Sequence, residues 1–486
     1  MLLMNPDSWN GFSAKKVENN NQSLMPALPQ KLIAALNKLD HFDEAAFRAV
    51  HASDDQWVSV RFNPSKLKIK KGAWPITVID PAFALAARVP WAENAYYLAE
   101  RPSFTLDPLF HAGTYYVQEA SGMFVEHALR NTVDLSAPLR ILDLCAAPGG
   151  KSTLIQSVIS KSSLLVSNEV IKTRVPVLHQ NLDKWGFANG IITHNDPKDF
   201  KQLPGFFDVL MVDAPCSGSG LFRKDPVAIG EWSEEAVNLC RQRQQRILAD
   251  AWDCLKENGV LLYSTCSYSK EENEDVLDDL LQHHSGESLR IPLDPLWNVI
   301  ETLSEKEKNY GYRFYPDKLN GEGFFLAAVR KKESTLETPK ARAPRGKLGR
   351  KEQMLLRKFI PDENLEFIPI NEGVHIIPAH VLNDLWALKN ELYLKKAGVL
   401  AGKMGSDEWI PDHELALSVD LNPDLPFLEL SRADALQYLR REAFTPATDR
   451  KGWMPVGFQH QKLGWAKMLA NRINNYYPKA WRILKK

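Results

Sequence analysis

The chain has 486 residues, 44% of them apolar, and carries 60 basic against 60 acidic side chains. That length allows about two to four domains, and that apolar content builds a sizeable core. The balanced total excludes any argument for a partner from net charge, so the distribution has to carry it. Ten basic and three acidic residues lie from Lys331 to Lys358, and nine basic with no acidic residue from Arg450 onward. Such blocks suit a solvated face, a flexible linker or phosphate contact.

Five cysteines without a paired framework fit a reducing compartment. No Cys-x-x-Cys or Cys/His ligand spacing is present, so no metal is expected. Met1-Leu2-Leu3-Met4-Asn5-Pro6 breaks too early for a signal peptide, and no apolar run approaches a membrane span. The expectation is a soluble, cytoplasmic monomer that does not contact membranes.

Residues 1–28, rich in Asn, Lys, Ser and Pro, read as a loose extension. A helical pattern begins near Pro29, with Leu32, Ile33, Leu36 and Leu39 at helix spacing. With the strand-like Trp57–Phe62 it makes residues 29–117 a small N-terminal α+β domain. From 118 to 332 the rhythm becomes apolar strand, loop, amphipathic helix, repeated. Expected strands are Arg140–Leu144, Ser163–Ser167, Ile191–His194, Asp208–Val212, Val260–Ser264 and Phe324–Val329. A helix is expected from a Ser233 cap to Asn258, with Glu234 and Glu235 in its first turn and Gly259 as its stop. Its Cys240 and Cys254 fall on the apolar stripe with Val237, Ile247, Leu248, Ala251 and Leu255, and are assigned to the core.

This alternation implies a doubly wound, mostly parallel α/β sheet, which binds ligands beyond the carboxyl ends of its strands. Residues 333–350 read as a basic linker, 351–411 as a first C-terminal domain, and 412–486 as a last α+β module. In that tail Trp453, Lys462, Trp465, Lys467, Arg472 and Trp481 interleave bases with aromatics. The pattern suits RNA, whose unstacked bases stack on rings, or a small domain with a basic face and a Trp core.

Strand Arg140–Leu144 runs into Cys145-Ala146-Ala147-Pro148-Gly149-Gly150-Lys151 and then a helix. Glycines at such a turn let a ligand approach the backbone. The run is not Gly-x-Gly-x-x-Gly, and it lacks the upstream glycine of a P-loop, which disfavours dinucleotide and NTP sites. A turn over the methionine part of S-adenosylmethionine suits it better. Glu169 follows the next strand, twenty residues past Gly149, where an acid accepts from ribose hydroxyls. Asp196 ends the third strand, placed to accept from the adenine amino group. Each acid alone is commonly a turn or cap residue; in order on successive strand ends they favour adenosine. Lys151 stands in the same turn, as a cofactor residue or a first-turn surface lysine.

Cys216, in Asp213-Ala214-Pro215-Cys216, and Cys266, in Ser264-Thr265-Cys266-Ser267, each follow an apolar run. Two thiols at comparable strand ends suit methylation of a pyrimidine at C5, a poor nucleophile until a thiolate adds at C6. That reaction needs a thiolate, a group at N3 and a base for the C5 proton. A free thiol has a pKa of about 8.5, so its surroundings must activate it. Arg223 and Lys224 offer charge for the thiols or contacts for phosphate. These residues do not say which cysteine attacks.

Gln118–Ser121, Leu142–Lys151, Asp213–Gly218 and Tyr263–Ser267 together resemble the NOL1/NOP2/Sun family of RNA cytosine-C5 methyltransferases. Ser269–Glu274 and Gly321–Phe325 extend the likeness, which spans residues 50 to 332; Ser269 and Glu272 also have capping-box spacing. The resemblance implies a Rossmann-like class I fold with S-adenosylmethionine held by Cys145–Lys151, Glu169, Asp196 and Asp213. It makes Cys266 the nucleophile, Cys216 the residue aiding proton removal and release, and Asp213 the contact to N3. The layout, with a PUA-like RNA-binding tail, resembles bacterial members that modify 16S rRNA in the decoding region of the small ribosomal subunit. A tRNA methyltransferase and a non-catalytic ribosome-assembly factor are the alternatives.

Overall fold

The computed structural model describes residues 27–67, 83–336, 341, 348–406, 408–444, 450–469 and 472–485. Almost all of the expected extension and most of the basic linker lie outside these residues. The centre is a ten-stranded sheet in which Arg140–Asp143 pairs in parallel with Leu164–Asn168 on one side and Phe207–Asp213 on the other. Gly190–Thr193 and Leu255–Thr265 extend the parallel core outward. The strand order therefore reverses at Arg140–Asp143, which opens a crevice beyond its carboxyl end.

Helices and loops cover both faces of these strands, so neighbouring residues are buried on opposite sides. Ile141, Leu165, Val209 and Leu262 join one apolar layer, and Leu142, Val166, Leu210 and Leu261 the other. That is why the strands read as continuous apolar runs rather than as alternation.

The sheet is mixed rather than mostly parallel. Phe324–Lys331 runs antiparallel to Leu255–Thr265, and Tyr310–Phe314 and Ile300–Leu303 continue outward as an antiparallel meander. Short loops join the three outer strands, Ile300–Leu303, Tyr310–Phe314 and Phe324–Lys331, whereas parallel pairing would need long crossovers. At the other edge Leu394–Ala397, from the segment beyond the linker, pairs antiparallel with Gly190–Thr193.

Ser233 caps its helix by accepting from Ala236 N–H, but the helix ends at Ala251, short of the expected Asn258. Trp252–Cys254 forms a tight turn that buries Trp252 and Cys254 completely, and Leu255 already pairs with Phe207. Asn258 takes a positive φ of 63° inside that strand. Cys254 is core as expected; Cys240 is only half-buried, which corrects its assignment.

Before the central sheet, Val58–Phe62, Leu85–Arg88, Ala95–Leu98 and Tyr115–Val117 form a four-stranded antiparallel sheet. Leu32, Ile33 and Leu36 of helix Gln30–Leu36 and Phe47 of helix Glu44–Ala52 pack on Phe222, Ile229, Tyr268 and Tyr315. Beyond the central sheet lie two further four-stranded sheets. In the last one Trp465 and Tyr477 are buried, whereas Trp453 stacks edge-on against the exposed Tyr476 with Lys467 over its ring. Much of the tail's aromatic content is therefore core. Among the described residues no helix is long and apolar enough to cross a membrane.

Candidate active site

The carboxyl ends of the five parallel strands bring nearly all the expected site residues to one edge. On the first, Asp143 is fully buried, and its Oδ2 accepts from Ser152 Oγ at 2.6 Å. Ser152 in turn receives from Ser167 Oγ at 2.9 Å. Burial pushes the Asp143 carboxyl up to about 7 against that hydrogen bond. The chain then passes Cys145, Ala146, Ala147 and a cis Ala147–Pro148 bond to Gly149, whose φ of 111° caps helix Gly150–Val158. That left-handed conformation is the reason for a glycine there. Burial pushes the Cys145 thiol far up, so it is an inert part of the turn.

Asn168, at the end of the second strand, ties three loops together. Its Nδ2 donates to Leu144 O and Asn195 O at 3.1 and 3.0 Å, and its Oδ1 accepts from Thr193 Oγ1 and Asn195 N–H. The next residue, Glu169, is buried and accepts from Ile171 N–H at 2.8 Å. Its other oxygen lies 3.4 Å from Arg174, whose guanidinium also donates to Ala147 O. Asp196 caps the short helix Pro197–Gln202 in a capping box with Asp199 and lies 3.6 Å from Arg246.

Lys151 turns inward rather than to solvent. Its Nζ is 2.8 Å from Asp213 Oδ2, and Ser264 Oγ donates to Asp213 Oδ1 at 2.7 Å. Burial works against the Lys151 charge, but Asp213 beside it outweighs burial and raises its pKa, with Asp143 and Cys266 adding to the field. Arg223 does not supply that charge; it is buried 3.4 Å from Glu322 and donates to Asp55 O.

Cys216 and Cys266 meet with their sulfurs 2.9 Å apart, each half-buried and unbridged. The hydrogen bond with Cys266, then burial, hold the Cys216 thiol well above its usual range. One carboxylate organises both loops. Glu272 accepts from Ser217 N–H at 2.8 Å and Ser217 Oγ at 2.6 Å, and from Ser267 Oγ at 2.5 Å. Ser217 and Ser267 are the residues that follow the two cysteines. Gln244 adds a bond to Pro215 O, and Asn273 links Thr265 Oγ1 with Ser267 O. Ser269 forms no side-chain cap, so the capping-box spacing with Glu272 serves the thiol loops instead.

Sequence reasoning missed Glu272, Asn168 and Asp143 as site residues. The only signal for them was position: two polar residues closing apolar strands, and one acid five residues past a cysteine-bearing loop. A separate cluster of His179, Asp183 and Glu414 has the makings of a metal site. Lys396 fills it, with its Nζ 2.7 Å from Asp183 and bonded to Glu414, so it is an ion-pair network between segments.

Together the reversed strand order, the glycine turn and the acids on successive strand ends define a Rossmann-like class I methyltransferase. A methyltransferase homologue from Pyrococcus horikoshii shares this fold, with a TM-score of 0.50 and 26% identity over 63% of this chain and 100% of that one. Residues 28–120 match the N-terminal domain of 16S rRNA methyltransferase RsmF, 132–330 the 16S rRNA methyltransferase RsmB/F family, and 426–483 the methyltransferase RsmF PUA domain. Ribosomal RNA small subunit methyltransferase F of Aeromonas salmonicida is 30% identical over 466 residues, covering 90% of this chain and 96% of that protein. The same-named protein of Salmonella arizonae is 31% identical over 467 residues, covering 88% and 92%. The chain belongs to the RsmB/F (NOL1/NOP2/Sun) family, whose methyl donor is S-adenosylmethionine. The site fits that donor: Asp143 Oδ1 is a buried acceptor with no hydrogen-bond partner beside the glycine turn, and Glu169 Oε2 is held there by no more than the 3.4 Å ion pair with Arg174.

Proposed function

We propose that the chain methylates C5 of a cytosine in 16S rRNA of the small ribosomal subunit, through a covalent bond between Cys266 and C6. The observation that carries this reading is the thiol pair at 2.9 Å, with Cys216 beyond the strand that ends in the Lys151-paired Asp213 and Cys266 beyond its neighbour. The relatives named for small-subunit rRNA, matched along nearly their whole length, support the substrate. S-adenosylmethionine supplies an electrophilic methyl group. Cys145–Lys151, Glu169, Asp196 and Asp213 would hold it, Glu169 toward the ribose and Asp196 toward the adenine.

In this reading the Cys266 thiolate adds to C6, and Asp213 contacts N3, so that electron density gathers at C5. Lys151 keeps Asp213 fixed and places a positive charge near Cys266. Once C5 carries the methyl group, Cys216 assists removal of the C5 proton, the C5–C6 double bond re-forms and Cys266 departs. The target base must be unpaired or extruded to reach the thiol. Residues 29–117 and the modules at 351–411 and 412–486 flank the 118–332 methyltransferase domain and present RNA to it, and the enzyme works as a cytoplasmic monomer.

Bisulfite sequencing of 16S rRNA and tRNA, with and without the gene, tests the substrate. The expected result is one 16S cytosine that loses protection when the gene is deleted. Unchanged 16S positions alongside a lost tRNA mark would overturn it. Failure of the purified protein to transfer labelled methyl to any RNA would point to an assembly factor.

A further inference from the structure

Cys216 and Cys266 are closer than two working thiols need to be. They lie beyond adjacent parallel strands whose register sets Asp213 opposite Ser264. The two segments stay bonded past the strand ends: Ala214 N–H donates to Ser264 O and Gly220 N–H to Cys266 O, each at 2.8 Å. The Gly220 contact leaves no room for a side chain, since a Cβ there would stand 2.4 Å from Gly323 O. Glu272 then binds the residue after each cysteine. The backbone thus holds the sulfurs in contact. A disulfide of about 2.05 Å needs them to close by less than an ångström, within reach of side-chain rotation.

We infer that this pair is a reversible oxidation site, which a hydroperoxide converts to a Cys216–Cys266 disulfide. The Cys266 thiolate attacks one peroxide oxygen; the O–O bond breaks, leaving a sulfenic acid on Cys266 and expelling hydroxide, which takes up the proton that Cys266 gave up and, from hydrogen peroxide, is water. The Cys216 sulfur then attacks the Cys266 sulfur, the S–O bond breaks, and hydroxide leaves with the Cys216 proton as a second water. Two thiols have lost two hydrogens and the peroxide is reduced to two waters. A dithiol reverses the bond by exchange.

Both cysteines are half-buried, so a small peroxide reaches them. Lys151 places positive charge by Cys266. Cys216 keeps its proton through the hydrogen bond to Cys266 and through burial, which suits it to attack second. Without that neighbour a sulfenic acid on Cys266 would go on to the irreversible sulfinic acid. The disulfide itself follows from geometry; its silencing of methyl transfer rests on the function proposed above.

The test treats the full chain, free of RNA, with hydrogen peroxide, alkylates the remaining thiols and maps peptides without reduction. The expected product is a Cys216–Cys266 cross-linked peptide lighter by two hydrogens, with two of the five cysteines lost to alkylation. Dithiothreitol should restore both thiols and, in parallel, methyl transfer. In Cys216→Ser the same treatment should carry Cys266 to the sulfinic acid, unrecovered by dithiothreitol. Wild-type Cys266 found as sulfinic acid beside an alkylated Cys216, or cross-linked to Cys240, would overturn the inference. If the disulfide forms but the untreated protein methylates no RNA, the function fails and the oxidation site stands.

Discussion

Along one edge of the central sheet, two neighbouring halves of the site are built in opposite ways. The cofactor half is fixed by its own backbone and by Asn168, yet leaves Asp143 Oδ1 buried without a donor. Such an orphaned acceptor costs on the order of 1–3 kcal/mol in a free protein and returns that energy when a ligand supplies the hydrogen bond. The thiol half is closed on itself. Its sulfurs bond each other, and Glu272 is saturated by the serines beside them. One half awaits a ligand with its geometry set, whereas the other must be parted by its substrate before chemistry begins. The asymmetry suits a reaction in which the cofactor binds unchanged and the base enters between two sulfurs.

The largest effects separate the two thiols. Cys266→Ala should lower methyl transfer by more than about a thousandfold and form no covalent RNA complex, since the proposed nucleophile is gone. Cys216→Ala should also stop turnover but accumulate an RNA adduct on Cys266, seen as a slow-migrating band on a denaturing gel. The reverse pattern would exchange their roles. Next comes the carboxylate that positions both. Glu272→Ala removes the acceptor for Ser217 N–H and for two hydroxyls, so turnover should fall by about 10–100-fold while the KM for S-adenosylmethionine stays near wild type. Glu272→Gln should recover most of the rate, because serine hydroxyls can reverse and donate or accept. An equal fall in both variants would mean that the charge matters, not the positioning.

What could be read from the chain follows the same divide. The parallel strands were legible because burial on both faces leaves runs such as Asp208–Val212 almost wholly apolar. The cofactor turn was legible because a glycine turn after a strand, with acids ending the next two, has few other uses. Leu394–Ala397 was not, since it reads Leu-Lys-Lys-Ala; Lys396 is buried only because Asp183 and Glu414, remote in sequence, neutralise it. The end of the Ser233 helix was misplaced because helical periodicity continues through Trp252–Leu255, while burial of Trp252 and pairing with Phe207 impose a turn and a strand. Glu272 looked like a cap because local spacing cannot reveal that a loop 55 residues earlier brings Ser217 to it. Local chemistry was visible in the chain; partnerships between strand ends were not.

The smallest predicted effect tests whether the cofactor half is as unsatisfied as it looks. Asp143 is held at about 7 by burial, against an ordinary 3.8. An acid raised by folding binds its proton more tightly in the native state. Its contribution to stability is therefore full below the unfolded value and is lost as pH rises through the folded one. Wild-type protein should lose stability relative to Asp143→Asn across this window, on the order of 2 kcal/mol between roughly pH 5.5 and 8, or a few degrees in Tm. Saturating S-adenosylmethionine should flatten that slope if it gives the orphaned oxygen a hydrogen-bond donor, because the ionised form then has a partner. Parallel wild-type and variant curves without the donor would mean that Asp143 is already ionised throughout. The cofactor half would then be as self-contained as the thiols, and the contrast between the two halves would fail.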